Sequence, residues 1–339
     1  MEKMTVRWGI LGAGNICNDF VNSFNSYCDS TDHKIVGVAA RDKKNAQAFA
    51  NIHNIKMVFD SYDQMACSKD IDVVYIGTLN PFHYEHAKMC LENGKHVLCE
   101  KPLCMNAKQV KNLITLSKSK QRFLMEGVRS RFSPAYLELE KQMAESIGEV
   151  KFLEVNLGIN CESNRVTKKE FGGSAVLDVG IYVLQLSQLV FKEAPVRVTA
   201  IGSLNDYGVD CTETIVLEYG FGRRAVLNTH TQLEMCNQAT VYGTMGRITL
   251  QAPFHFPTHI KIHKYGQDEK VKVFPLPKSQ IQYNFENSEG LVYEALEVTR
   301  CIQQGLIESP RMTHNESLLL AKLEDSVRKQ LGVKFDCDD

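Results

Sequence analysis

The chain lacks most features that would mark it as specialised in charge, membrane insertion or covalent stapling. Across 339 residues, 39 Lys and Arg stand against 40 Asp and Glu, and there is one Trp and only nine Pro. So even a balance leaves no electrostatic footprint for nucleic acid or an anionic membrane surface, and neither partner is expected. No apolar run approaches the roughly 18 residues that a membrane helix needs. The start, MEKMTVRW, enters a strand pattern at once and leaves no room for a signal peptide. Eleven Cys are present, but no Cys-x-x-Cys occurs, and the closest pair, Cys99 and Cys104, brackets Glu-Lys-Pro-Leu. An odd count with no framework excludes a disulfide scaffold and points to a reducing compartment, the cytosol by default.

What is present fits an ordinary globular protein of two domains, with 44% apolar and 23% charged residues. In the first third, strand-like runs (Lys34–Ala40, Val73–Gly77, His96–Cys99, Phe123–Gly127) alternate with helix-like ones (Lys43–His53, His83–Asn93, Asn106–Lys118). That alternation predicts βαβ units and a doubly wound parallel sheet. From about residue 148 the pattern changes. Eight strand-like runs between Val150 and Phe274, rich in Val, Thr and Ile, predict a large open, mostly antiparallel sheet. One helix, Gly180–Phe191, opens this part, and Glu289–Gly305 with Asn315–Leu331 close the chain. The expected division is residues 1–128 and 129–339, with the last helix free to return to the first domain and the active site between the two.

Val6–Gly14, VRWGILGAG, is the most informative segment. It reads as strand, tight glycine turn and helix, which presents bare backbone N–H groups and a positive dipole end to a pyrophosphate. The dipole contributes only about 0.3–1 kcal/mol per charge, so close backbone approach at the glycines matters as much. After the second strand comes Arg41-Asp42. Arg41 can fork onto a 2′-phosphate, favouring NADP, or it is solvated while Asp42 caps the next helix. Thr78-Leu79-Asn80-Pro81-Phe82-His83 follows strand VVYIG, and Glu100-Lys101-Pro102 follows strand HVLC. Residues just past such strand ends face the ligand crevice. Each cluster also has a plain reading, as turn and helix-start residues or a surface ion pair. Asp178 and Tyr182, four apart in Gly172–Tyr182, share one face of a helix. A phenol needs a nearby cation to act as base at neutral pH, which Lys101 could supply. Alone, Asp178 reads as a cap and Tyr182 as a packed aromatic.

Together these four segments resemble the Gfo/Idh/MocA oxidoreductase family over essentially the whole chain. The similarity is strongest to the branch that oxidises trans-dihydrodiols of benzene-type rings and aldoses such as D-xylose. It implies an N-terminal Rossmann domain, a C-terminal α+β domain, NADP as cofactor, a small-molecule substrate and a homodimer. By that resemblance Gly12, Gly14, Asn15 and Ile16 would hold the pyrophosphate and Arg41 the 2′-phosphate. Tyr75, Thr78, Leu79, Asn80 and His83 would border ribose and nicotinamide, with Glu100 and Lys101 beside them. Lys101, Asp178 and Tyr182 would be catalytic, with Tyr182 as acid–base group. Arg129, His255 and Phe285 would line the substrate pocket. Cys17 stands in the third-glycine slot, which puts helix–strand packing in question, and Arg129 where aromatic residues are expected turns preference toward hydroxyl-rich or anionic substrates. His83-Tyr84-Glu85-His86 lacks zinc-helix spacing, and Pro257 spoils His255 and His259 as a ligand pair, so no metal is expected. The alternatives are an oxidoreductase of another sugar or keto compound, or an NADPH-binding protein without turnover.

Overall fold

Twelve strand pairings build the two sheets of the described residues. The structure, a computed structural model, describes residues 5–27 and 32–339. Residues 1–4, which enter the expectation about a leader, lie outside the described residues. The chain divides into two compact units: Met1–Cys104, Lys108–Arg129 and Leu276–Ser317 form unit 1, and Met105–Ala107, Ser130–Pro275 and Leu318–Asp339 form unit 2.

Unit 1 is built from β1 (Val6–Leu11), α1 (Asn15–Tyr27), β2 (His33–Ala39), α2 (Lys43–His53), β3 (Met57–Val58), α3 (Tyr62–Cys67), β4 (Val73–Ile76), α4 (His83–Glu92), β5 (His96–Glu100), α5 (Ala107–Lys120) and β6 (Leu124–Gly127). The strands form one parallel sheet in the order β3-β2-β1-β4-β5-β6. All four residues of β4 and of β6 are buried, as expected of strands covered on both faces. Trp8, the single Trp, is fully buried against Phe20 and Phe24 of α1 at 5.6 and 5.8 Å between ring centres. Sequence order runs outward from β1 through β2 to β3, then restarts on the other side at β4. The ends of β1 and β4 therefore make the switch point where such sheets bind ligands. Asp42 caps α2 by accepting from the Lys44 N–H at 2.9 Å.

Unit 2 begins with α6 (Pro134–Glu145), β7 (Val150–Gly158), α7 (Asn164–Thr167) and α8 (Ile181–Phe191). It continues with β8 (Arg197–Leu204), β9 (Asp210–Glu218), β10 (Arg224–His230), β11 (Ala239–Gly243), β12 (Gly246–Leu250), β13 (His259–Lys264) and β14 (Lys270–Val273). The order is β14-β13-β12-β11-β7-β10-β9-β8, antiparallel except for the pair β7–β10. That exception has a topological cause. β7, α8 and β8 form a crossover, and two hairpins then fold back until β10 meets β7 running the same way. Burial alternates along β9 to β12, so one face is packed and the other open. α9 (Leu291–Gln303) belongs to unit 1, and α10 (His314–Leu331) is divided after Ser317.

Two sequence expectations change. The stretch Lys169–Phe191 is, by length and composition, apolar enough to cross a membrane, but 94% of its most apolar window is buried, as in a core helix. Asp178 lies in a π-helical turn, Val176–Gly180, so the regular four-residue spacing to Tyr182 does not hold there. α3 and α6 were missed, although Ser133 as cap with Pro134 in the first turn is a legible start signal for α6. The ten described cysteines are all free, and Cys17, Cys90, Cys99, Cys104, Cys211 and Cys301 are buried.

Candidate functional site

The candidate residues fall into two groups, one in each unit. In unit 1 the turn after β1 is tied to its neighbours by backbone: Gly12 N–H donates to the Ala39 carbonyl at 2.9 Å, and Gly77 N–H to the Leu11 carbonyl at 3.1 Å. Gly12 has φ +119°, and a Cβ there would sit 2.9 Å from the Gly77 carbonyl oxygen, so only glycine fits. Gly14 faces open space: a Cβ there would meet nothing within 4 Å. Gly14 and Asn15 are exposed and Ile16 is half-buried, which leaves the first amides of α1 accessible. Cys17 takes the third-glycine slot without disturbing the packing. Its thiol is fully buried, donates to the Gly77 carbonyl at 3.4 Å, and is pushed up to about 12 by burial. Gly77 makes that possible, since a Cβ there would lie 2.5 Å from the Cys17 sulfur. Arg41, past the end of β2, is exposed and forms no ion pair among the described residues.

The turns after β4 and β5 are fastened to each other. His83 is fully buried, with Nδ1 2.7 Å from the Pro102 carbonyl and Nε2 3.0 Å from the Thr78 carbonyl. A neutral ring donates to only one of these, and either way the two turns are held together. Thr78 Oγ1 lies 3.1 Å from Nδ1 of His86, whose pKa burial lowers to about 4. Leu79 is half-buried, and Asn80 is buried with Nδ2 lacking any hydrogen-bond partner. A buried amide left unmade costs about 1–3 kcal/mol, so this donor is available to a ligand acceptor. Together with the open space over Gly14, it fits a dinucleotide.

Beneath these turns lies an acidic cluster. Tyr75 is fully buried, stacks on Phe20 at 3.8 Å, and donates to Glu100 Oε1 at 2.7 Å. It therefore holds Glu100 rather than opening onto solvent. The Glu100 carboxyl is raised by burial, opposed by the Tyr75 hydrogen bond and by the positive fields of Lys101 and Arg129. Glu294 on α9 is fully buried and raised well above the carboxylate range by burial and by Glu100. Lys101 is half-buried, and its peptide bond to Pro102 is cis. Arg129, expected to face substrate, donates to the backbone carbonyls of Glu286 at 2.9 Å and Asn287 at 3.1 Å. Phe285 beside them is 42% exposed. A cavity of about 480 Å³ between His33, Leu296, Thr299 and Arg300 adjoins the start of β2. That is the wrong end of a parallel sheet for the nucleotide.

In unit 2, Gly172-Gly173 leads into the π turn. A Cβ on Gly173 would lie 2.6 and 2.7 Å from the Val166 and Lys168 carbonyls, so a side chain is sterically forbidden. Asp210 anchors the turn's start, accepting from the Val176 N–H at 2.7 Å and from the Ser174 hydroxyl at 3.0 Å. Asp178 is gripped by the Arg165 guanidinium in a bidentate pair at 2.5 and 3.1 Å. The Asp178 carboxylate favours the charged form of Arg165. The half-buried Tyr182 ring lies 4.8 Å from the ring of His255, itself buried and held by Ser130, whose hydroxyl donates to the His255 carbonyl. Sequence reasoning missed Arg165, Asp210 and Glu294. Nothing in the spacing of Arg165, thirteen residues before Asp178, announces their pairing.

Comparison with known proteins agrees with the two-sheet fold. Residues 6–128 match the GFO/IDH/MocA oxidoreductase family with NAD-binding Rossmann fold, and residues 140–249 match the GFO/IDH/MocA C-terminal domain. The trans-1,2-dihydrobenzene-1,2-diol dehydrogenase of Xenopus tropicalis is 41% identical over 335 residues, covering 98% of this chain and 100% of the relative. The Homo sapiens protein of the same name is 36% identical over 338 residues, covering 99% of each. KijD10, a 3-ketoreductase from Actinomadura kijaniata crystallised with NADP, shares the fold with a TM-score of 0.80 at 22% identity, over 96% of this chain and 98% of that one. A parallel Rossmann-type sheet and a large, mostly antiparallel sheet, with these matches, define an NAD(P)-binding oxidoreductase. The chain belongs to the GFO/IDH/MocA oxidoreductase family.

Proposed function

We propose that this oxidoreductase uses NADP to oxidise the hydroxyl of a vicinal trans-dihydrodiol or an aldose such as D-xylose, or runs the reverse reduction. The ordered placement of the β1, β4 and β5 turns on adjacent strands carries the reading, with relatives of up to 41% identity named for the dihydrodiol reaction supporting it. Exposed Arg41 past β2 favours NADP, since a guanidinium forks onto a 2′-phosphate. Gly12, Gly14, Asn15 and Ile16 would hold the pyrophosphate, and Asn80 would spend its free amide donor on the cofactor. When bound, the nicotinamide accepts or returns the hydride.

The protein's own part is proton handling and orientation. Tyr182 takes the proton of the substrate hydroxyl as the carbinol carbon gives up its hydride, and returns it in reduction. Lys101 favours the phenolate by its positive charge. Asp178, fixed by Arg165, orients the substrate hydroxyl. His255 and Phe285 supply the remaining pocket surface, while Arg129 shapes it through the carbonyls it holds. A second copy of the chain covering the open face of the unit 2 sheet fits the Thr214–Asn228–Asn156 hydrogen-bond ladder there, and the free cysteines fit the cytosol.

Steady-state kinetics with trans-1,2-dihydrobenzene-1,2-diol, D-xylose and an acidic sugar, each with NADP and with NAD, test the reading. Lys101→Met and Tyr182→Phe are expected to lose about 10²–10⁴-fold in kcat. Arg41→Ala should raise KM for NADP about 10- to 100-fold and leave NAD unchanged. NADPH binding without turnover on any of these or on a broad carbonyl panel would instead indicate a sensor.

A further inference from the structure

Asp19 has no part in the proton or hydride chemistry, yet it is fully buried on α1 and its oxygens are crowded with donors. Its carboxylate accepts from the Asn284 backbone N–H at 2.9 and 3.0 Å, from Asn284 Nδ2 at 2.7 Å, and from the Phe285 N–H at 2.9 Å. Asn284 Nδ2 also lies 3.4 Å from the carbonyl of Asn15, the first residue of α1. One helical turn further along, Ser23 donates to the Glu289 carbonyl at 2.6 Å and accepts from the Val292 N–H at 2.9 Å. From another direction Arg129, two residues beyond β6, donates to the Glu286 and Asn287 carbonyls.

Burying a carboxylate is costly unless N–H donors replace its water, and here nearly all of them come from two adjacent residues. The bond set therefore dictates where Asn284 and Phe285 sit relative to α1. In the strand order β1-β4-β5-β6, α1 follows β1 and Arg129 follows β6. The two anchors thus flank the turns that carry Thr78, Asn80, Glu100 and Lys101. Asn287 at φ +55° then reverses the chain toward α9.

We propose that Asn284–Asn287 is a strap that retains the dinucleotide, with Asp19 and Arg129 as the positioning residues that latch it across the C-terminal edge of the sheet. This rests on reading the β1 turn as the dinucleotide site. Cofactor leaves only once the latch opens, so a weaker latch is expressed in a faster dissociation rate.

The test is stopped-flow displacement of NADPH, paired with hydrogen exchange over residues 276–287, on the full chain. Asp19→Asn is expected to speed NADPH dissociation about 10- to 100-fold, the range for losing charge-assisted hydrogen bonds, and to speed exchange in the strap. Should Asp19→Asn fail to fold, Asn284→Ala keeps the backbone donors and should still speed dissociation several-fold, at about one hydrogen bond's worth. Combining Asp19→Asn with Asn284→Asp reverses the polarity of the side-chain bond and should return the rate toward wild type, which a general loss of stability would not. Folded variants that release NADPH within twofold of wild type while the strap exchanges faster overturn the proposal, as does a fast single variant that the reciprocal pair leaves fast. Wild-type protein that binds NADH but not NADPH overturns the NADP reading alone, and the strap is then judged by NADH dissociation. Binding of neither overturns both.

Discussion

Replacing Arg165 with Met removes the fork that holds Asp178 and keeps most of the apolar stem. Contacts at 2.5 and 3.1 Å join the two groups. At an effective dielectric of about 20, unit charges near 3 Å attract by roughly 5–6 kcal/mol. Desolvation of Asp178, whose side chain is 12% exposed, offsets several kcal/mol of that. Arg165, 37% exposed, is also partly screened. A net of about 1.5–3 kcal/mol remains, the usual range for charge-assisted hydrogen bonds. Arg165→Met should therefore unfold in urea with that much less free energy. A cycle with Asp178→Asn isolates the pair, because Asp178→Asn removes the charge that Arg165 answers. Turnover should fall as well, about 10- to 100-fold in kcat/KM, since Asp178 loses its orientation. A coupling energy under about 0.5 kcal/mol, the level of an exposed pair, would refute the claim that Arg165 positions Asp178.

Two further outcomes follow from the same packing. Gly77→Ala drives a methyl into the Cys17 sulfur at 2.5 Å and should cost about 1–3 kcal/mol by overpacking. Adding Cys17→Ala should recover most of that in thermal melts; no recovery would mean that the clash lies elsewhere. Stability should also depend on pH in two opposed ways. His96 is lowered to about 4 by burial, and its Nδ1 accepts from the Phe123 N–H at 2.9 Å, which requires the neutral ring. Between about 4 and 6.5 the unfolded chain binds the extra proton, so up to about 3 kcal/mol present above that window is lost as pH falls through it. Glu294 and Glu213 are raised instead, so the stability tied to their protons is complete below the ordinary carboxylate range and lost as pH rises through their folded values. Melting temperature against pH tests this: His96→Gln should flatten the acid limb, and an unchanged limb would remove His96 from the account.

Much of unit 1 was legible because its signals are local. Lys43–His53 was read with the same ends that the structure shows, since Asp42 as cap and apolar positions at helical spacing sit within the segment itself. Each turn of the candidate nucleotide site directly follows a short apolar strand, and the strand's end announces it. The sequence by itself thus determined the parallel nucleotide-binding sheet and the glycine turn, and it placed Thr78, Asn80 and Lys101 just past strand ends. What it did not contain was who pairs with whom across long separations. Cys17 fits because Gly77 lacks a side chain, Asp178 turned out to be held by Arg165 within a π turn, and Arg129 spends its guanidinium on the carbonyls of Glu286 and Asn287. Asp19 and Asn284 meet from 265 residues apart. Hydrogen bonds and close contacts of this kind depend on directions fixed only when elements pack, and residue type carries no record of them. Tertiary structure alone decided those partners.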